Sequence, residues 1–451
     1  MGDSAFVTGR QRAAHMGMWI IACLTLAGCV FQDVRDQQAK VEAICLIGGT
    51  VTTEHINTSP TRIGLVGLVR HKGGEIEAPQ NWALVDHFVL ESAGRWMFHA
   101  NLGTYGLVAF EDSNADSVYQ PGEPFLTVDQ QRLLICRSGD RKTDLALVIP
   151  TEGRSRMDGD INFMTFQART ASDQLQASLG FATAYGEVAS LDDPRFREEQ
   201  ATNSLWRPYD FIFDVHPGVY FLQPYDAGKI PVLFVHGING TPINFRPLIK
   251  RLDRSRYQPW VYYYPSGARL ANVADHLDQT MKQLQLRHGF TRYHVVAHSM
   301  GGLVSRGFLL RNQTGGSRAH IPLYITISTP WAGHKAAEAG VKYSPAVVGV
   351  WNDMAPGSAY LTDLFFQERG GAPVRRPLPA GVRHHLLFGY KRGGTAVGEC
   401  TDGTVTLASE LYPGAQEDAN RLYGFDETHM GILDSVETSR LVNRLLDEAS
   451  R

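Results

Sequence analysis

Ser299 stands where an apolar run ends and a helical pattern begins, with Ala297 two residues before it and Gly301 two residues after. Val295, Val296 and Ala297 read as a buried strand, and Leu303, Val304, Phe308 and Leu309 recur at helical spacing. A strand that turns sharply into a helix at a serine strains that residue's backbone, so its flanks must be small. The turn lifts the hydroxyl above the sheet and aims the amide of Met300 at a substrate oxygen. The chemistry that suits this arrangement is nucleophilic attack on an acyl carbon. The pentapeptide also fits an ordinary Ser-Gly turn, so the rest of the chain must decide.

A serine nucleophile needs a base, and the base needs an orienting carboxylate. Hydrolases with this elbow carry them in the order Ser, acid, His. After Ser299 come His320, His334, His384, His385 and His429, of which His429 lies in a loop just before the last helical pattern. Between them Asp402 sits in a polar turn, Cys400-Thr-Asp-Gly-Thr-Val405, following the apolar run Leu386-Leu-Phe388 and a glycine-rich loop. Asp353, Asp363 and Glu399 are rivals for the acid. A turn-forming Asp-Gly and a helix-entry histidine are the plainer readings of Asp402 and His429. Upstream, Ile230–Val235 reads as a short buried strand entering the turn His236-Gly-Ile238-Asn-Gly240. That turn can point the Ile238 amide at the same oxygen as Met300, giving the two donors a tetrahedral intermediate needs.

Residues 230–451 resemble the α/β-hydrolase lipase family, most closely the small bacterial lipases with Ala at the first elbow position. The resemblance is carried by His236-Gly-Ile-Asn-Gly-Thr-Pro-Ile-Asn-Phe245, by Ala297-His-Ser-Met-Gly-Gly302 and by Ile325-Thr-Ile-Ser-Thr-Pro-Trp-Ala-Gly333. Asp402-Gly-Thr-Val405 and His429 fall where such lipases carry their acid and base. It implies a mostly parallel sheet with helices on both faces and a serine hydrolase of carboxylic esters. Ser299 would be the nucleophile, His429 the base, Asp402 the orienting acid, and the Ile238 and Met300 amides the oxyanion hole. His236 and His298 are structural in that pattern. No metal or organic cofactor is needed for the reaction.

A cap insert is expected at about 334–380. Val347, Val350, Trp351 and Met354 can share one helix face, and Ser358 can cap a second helix bearing Tyr360, Leu361, Leu364 and Phe365. An apolar cap over the serine would favour acyl chains, either as a moving lid or as helices packed permanently on the core.

The first residues carry an address. Arg10 and Arg12 precede an apolar run, Met16–Ala27, too short to span a bilayer. Leu26-Ala-Gly-Cys29 resembles the lipobox of bacterial lipoproteins, which implies cleavage after residue 28, lipidation of Cys29 and a membrane anchor, with Val30 favouring the outer membrane. An exported protein with a coincidental cysteine is the alternative. A net charge of −3 with 20% charged residues leaves no nucleic-acid footprint. Of five cysteines, Cys23 departs with the signal and Cys29 is spent on the lipid. An oxidising compartment then permits a Cys45–Cys136 disulfide, leaving Cys400 outside it.

The organisation expected is a signal at 1–28, a small β-sandwich at 29–150, a connecting region at 151–209 with a helix around Ala171–Leu179, and the hydrolase at 210–451. The sandwich rests on β-prone runs at Ala43–Val51, Ile63–Val69, Trp82–Leu90, Trp96–Ala100, Tyr105–Phe110, Leu133–Cys136 and Leu145–Ile149. Gly103–Asp112 resembles the late strands of transthyretin-like or carboxypeptidase-regulatory-like modules. Asp210–Leu222 is expected to supply early strands of the hydrolase sheet. Asp112, Asn114, Asp116, the Val118 carbonyl and Glu123 are spaced as oxygen ligands of a structural calcium loop. Ser117 stands where an EF-hand needs Gly, and the competing reading is a solvated acidic turn.

Two other functions stay open: an acyltransferase with the same triad, and a non-catalytic membrane-anchored lipoprotein that binds rather than cleaves.

Overall fold

Runs of apolar residues too short to be helices, punctuated by glycine and by amphipathic segments, build a sheet buried on both faces. The computed structural model describes residues 31–53, 65–75, 81–90, 93–111, 119, 122–126, 133–150, 183–312, 319–391 and 400–450. Its centre is an eight-stranded sheet of β1 (Ala184–Val188), β2 (Gly218–Phe221), β3 (Ile230–Val235), β4 (Tyr257–Tyr263), β5 (Arg292–His298), β6 (His320–Ile327), β7 (Arg383–Gly389) and β8 (Ala419–Phe425). Their order across the sheet is β1-β2-β4-β3-β5-β6-β7-β8. β3 to β8 run parallel to one another, and β1 and β2 run against them. This is the α/β-hydrolase arrangement.

Side chains alternate across the pleat into two cores. Leu233 and Val235 of β3, Val295 and Ala297 of β5, and Tyr324 of β6 join the core beneath α1 (Leu270–His288) and α2 (Met300–Asn312). Val232, Phe234, Val296, Leu323, Ile325 and Ile327 join the other, closed by Leu441, Val442, Leu445 and Leu446. Those three leucines and one valine belong to α6 (Val436–Ala449), whose Ser435 caps it by accepting the Thr438 amide.

The cap is three helices, α3 (Lys335–Tyr343), α4 (Gly349–Met354) and α5 (Ala359–Phe365), then a hairpin of Phe366–Arg369 with Ala372–Arg375. Val350 and Met354 are buried and Trp351 packs on the core as the spacing predicts, while Val347 lies before the helix, whose N-cap is Val348; the Ser358 hydroxyl accepts the Leu361 amide. Two of these helices are fastened to the body. Buried Asp353 accepts from the Leu270 amide at 2.6 Å and from Arg269 Nε at 2.9 Å, and Tyr360 donates to the Leu303 carbonyl at 3.1 Å. Asp353 is therefore spent on joining α4 to the start of α1.

Each β-prone run before residue 150 holds a strand. Gly94–Ala100, Cys45–Thr53 and Arg141–Ile149 make one small sheet. Trp82–Val89, Leu65–His71, Gly103–Phe110 and Phe125–Leu126 make another, with Leu134–Cys136 beside Gly103–Phe110. Ile47, Phe98 and Ile149 of the first sheet meet Val66, Leu68, Phe88 and Tyr105 of the second in one buried cluster, and the Cys45–Cys136 disulfide ties the two sheets together.

Three expectations change. Residues 31–42, assigned to the β module, form a helix on the hydrolase. Its Val34 enters the large core, while Gln37 accepts the Asp210 amide and Gln38 the Gly349 amide. The hydrolase sheet begins at Ala184, inside the stretch expected to be a connection. Five residues with Gly186 at a positive φ of 77° carry no alternation that would mark them. Over Asp210–Leu222 the chain forms helix Pro208–Val215 before β2, because proline at the helix start and the spacing of Phe211, Ile212 and Val215 favour a buried helical face. The signal, Cys29 and Ala171–Leu179 lie outside the described residues.

Candidate active site

β5 delivers Ser299 and α2 leads away from it. Ser299 has φ 53°, in the left-handed region, and its amide donates to the Ile327 carbonyl at 2.8 Å. The turn closes only because its flank is glycine. A Cβ on Gly301 would lie 2.2 Å from the Val235 carbonyl oxygen and 2.5 Å from that of His236. Gly301→Ala is accordingly expected to destabilise the fold by about 1–3 kcal/mol and to displace the elbow, read as a lower urea midpoint together with lost activity.

The end of β3 faces the elbow. Gly237 lets it approach, since a Cβ there would lie 2.8 Å from the Ser299 Cβ. Asn239 takes φ 51°, and Thr241 and Asn244 form a reciprocal capping box behind it. Among the described residues the Ile238 amide makes no backbone hydrogen bond. Met300 is the first residue of α2, so its amide has no carbonyl a turn earlier to bond. His236 keeps the loop in place by stacking on Tyr264 at 4.2 Å, and the Tyr264 hydroxyl donates to the His236 carbonyl at 2.6 Å.

The loops after β7 and β8 bring the other two residues. His429 Nδ1 lies 2.5 Å from Asp402 Oδ2, and the His429 amide donates to the Asp402 carbonyl at 2.9 Å. Asp402 Oδ1 accepts the amides of Thr404 at 2.9 Å and Val405 at 2.7 Å. Burial alone would raise the Asp402 pKa, but the hydrogen bond and charge of His429 outweigh it and hold the carboxyl down at about 2. An ionised acceptor on Nδ1 keeps the proton there and leaves Nε2 as the basic nitrogen. His298, neutral because burial and the neighbouring His429 lower its pKa to about 3, donates from Nε2 to the His429 carbonyl at 2.9 Å. It fixes the backbone at His429, a structural role of the kind the resemblance implies for it.

Ser299 and His429 line one cavity of about 350 Å³. Ile238, Pro330, Ala337, Trp351, Met354 and Val405 give it a mainly apolar wall. Ala337, Trp351 and Met354 come from the cap, so the insert forms one side of the pocket. Of the rival acids, Asp353 is engaged by Arg269, Asp363 is exposed, and Glu399 lies outside the described residues. Among the described residues one group of three carries convergent ligand atoms, Asp402, Glu410 and His429, and two of those are the hydrogen-bonded Asp402–His429 pair. Asp112, Asn114, Asp116 and Val118 lie outside the described residues, and Glu123 is buried.

Residues 270–346, from α1 through the elbow into the cap, match the family model of lecithin:cholesterol acyltransferase. No curated protein matches the chain. Among solved structures, the mature Bacillus licheniformis lipase BlEst2 is similar at 19% identity over 51% of this chain and 97% of that one, with a TM-score of 0.39. The lin2722 gene product of Listeria innocua is similar at 14% identity over 49% and 94%, with a TM-score of 0.37. Phospholipase PlaB from Legionella pneumophila is similar at 21% identity over 40% and 44%, with a TM-score of 0.31.

Proposed function

We propose that this protein is a serine hydrolase of carboxylic esters acting on acyl lipids. The observation that carries the reading is Ser299, strained at the tip of an elbow, sharing a pocket with a histidine whose Nδ1 is bonded to a buried carboxylate. Ser299 Oγ attacks the ester carbonyl while His429 Nε2 takes its proton. The oxyanion is met by the amides of Ile238 and Met300, and Asp402 stabilises the imidazolium. His429 then protonates the departing alcohol. Water, activated by the same histidine, releases the acid from the acyl-enzyme and restores Ser299.

A cavity of this size and apolar wall suits an acyl chain better than a peptide. Because Trp351 and Met354 sit on a fastened helix, that wall of the pocket is fixed and the rate should peak at one acyl chain length. Hydrolysis of a chromogenic ester series, short to long, tests this with the full chain. A flat profile would sink the acyl-pocket reading, and no hydrolysis of any ester by folded protein would sink the hydrolase reading.

The match of residues 270–346 to an acyltransferase family favours a second reading, in which an alcohol or a lipid hydroxyl replaces water in the last step. Product analysis with added alcohol acceptors separates the two, since transfer yields a new ester where hydrolysis yields only free acid. We also propose export and anchoring through a lipidated Cys29, on the strength of the Leu26-Ala-Gly-Cys29 motif. Incorporation of labelled fatty acid tests it, and an unlabelled exported protein would overturn it.

A further inference from the structure

A second carboxyl lies behind the acid of the triad. Glu410 ends the short helix Leu407–Glu410, which follows the Asp402 turn directly, and only 1% of its surface is exposed. Neither of its carboxyl oxygens accepts a hydrogen bond. The Ser328 hydroxyl and the Gly389 amide face it without closing one. Its carboxyl converges with those of Asp402 and the ring of His429, all within 4.8 Å of one another. Two buried carboxylates this close cannot both be ionised. Asp402 already holds three donors at close range, from His429, Thr404 and Val405, whereas the Ser328 hydroxyl and the Gly389 amide offset burial of Glu410 only in part, so the proton belongs to Glu410.

We propose that Glu410 is a positioning residue for the catalytic acid: a buried neutral carboxyl whose O–H donates to Asp402 and keeps that carboxylate seated on His429. This rests on the hydrolase reading above. Burial first, and then the charge of Asp402, raise the Glu410 pKa to about 10, which agrees with a retained proton. The same hydrogen bond contributes to the low pKa of Asp402. Among the described residues the titratable groups that converge on Glu410 are Asp402 and His429; His298 bonds the His429 carbonyl and His334 the Thr404 carbonyl, further out. None of these supplies Glu410 with a donor.

The test compares wild type, E410Q and E410L in the full chain on a chromogenic acyl ester. Glutamine keeps an uncharged donor of the same shape, so kcat should stay within about threefold of wild type and the acid limb of the pH–rate profile should not move. Leucine removes the donor. Its kcat should fall by roughly tenfold or more with KM unchanged. Its acid limb should move to higher pH, because a less neutralised Asp402 holds the imidazolium proton more tightly. A packing role would not move that limb. E410L with the wild-type kcat and limb would overturn the proposal, as would E410Q as impaired as E410L.

Thermal melting gives a second arm that needs no activity. A carboxyl raised from 4.5 to about 10 stabilises the fold fully below pH 4.5 and loses that contribution as pH rises through 10. E410Q should therefore melt above wild type by a gap that widens from pH 5 to pH 9, and a gap independent of pH would overturn the buried-proton assignment. Wild-type protein without esterase activity would instead count against the hydrolase reading, and the melting arm would still decide the state of Glu410.

Discussion

Replacing Ser299 by alanine is expected to lower kcat/KM on any acyl ester by roughly 10⁴–10⁶-fold while leaving KM and the melting temperature close to wild type. The size follows from what the residue does. No other hydroxyl sits at the elbow apex, so the acyl-enzyme route is lost and only the oxyanion donors and the pocket remain. The fold should not suffer, because Ser299 contributes its backbone to the turn through the amide bond to Ile327, and alanine keeps that amide. Active-site labelling by an organophosphonate should disappear in the same variant. Labelling that persists would place the nucleophile elsewhere.

Replacing Asp402 by asparagine should be almost as severe, with kcat falling by roughly 10⁴-fold at neutral pH. The geometry explains why a nearly isosteric change does so much. The amides of Thr404 and Val405 both point at Oδ1 and require an acceptor there. An asparagine must turn its carbonyl toward them, which leaves its NH₂ facing His429 Nδ1. That nitrogen must then become the acceptor, the ring proton moves to Nε2, and the base can no longer take the serine proton. Folding should be preserved, since the turn's hydrogen bonds survive. The check is kcat beside the melting temperature. An Asp402→Asn enzyme with near wild-type kcat at neutral pH would mean that the acid is another residue.

Hydrolysis and acyl transfer share everything up to the acyl-enzyme, so these two variants bear equally on both. What divides the readings is which hydroxyl reaches the acyl-enzyme, and that depends on the mouth of the pocket. There Ala336 and Ala337 of α3 line one side and half-exposed Met430 the other. α3 is the most exposed of the cap helices, with Val341 and Tyr343 turned to solvent, while α4 and α5 are bonded to the body.

Much of this was legible in the chain. Ser299 was readable because a nucleophile elbow is a local device: strand periodicity, a strained turn and a helix start lie within fifteen consecutive residues, and each leaves its residue types behind. Asp402 and His429 were readable only through chain order, since nothing local says that two loops 27 positions apart converge. Two of the three cap helices were marked by spacing and by Ser358, Lys335–Tyr343 was not, and the β-prone runs were marked by recurring between turns.

Other features came from tertiary contact alone. The helix at 31–42 joins the hydrolase through Val34, Gln37 and Gln38, contacts that span up to 311 positions and have no sequence signature. β1 is five residues in a polar stretch, held by pairing with β2 rather than by its own propensity. Glu410 carries no mark in the sequence. Only its burial against Asp402, without a cation or a donor, turns it into a proton-bearing group. Sequence by itself determined the strained turn at Ser299 and the type of sheet beneath it, because these are written in short-range periodicity and turn chemistry. The structure decided which acid meets which base, what walls the pocket and where a buried proton resides, because those depend on desolvation and on distances between residues far apart in the chain.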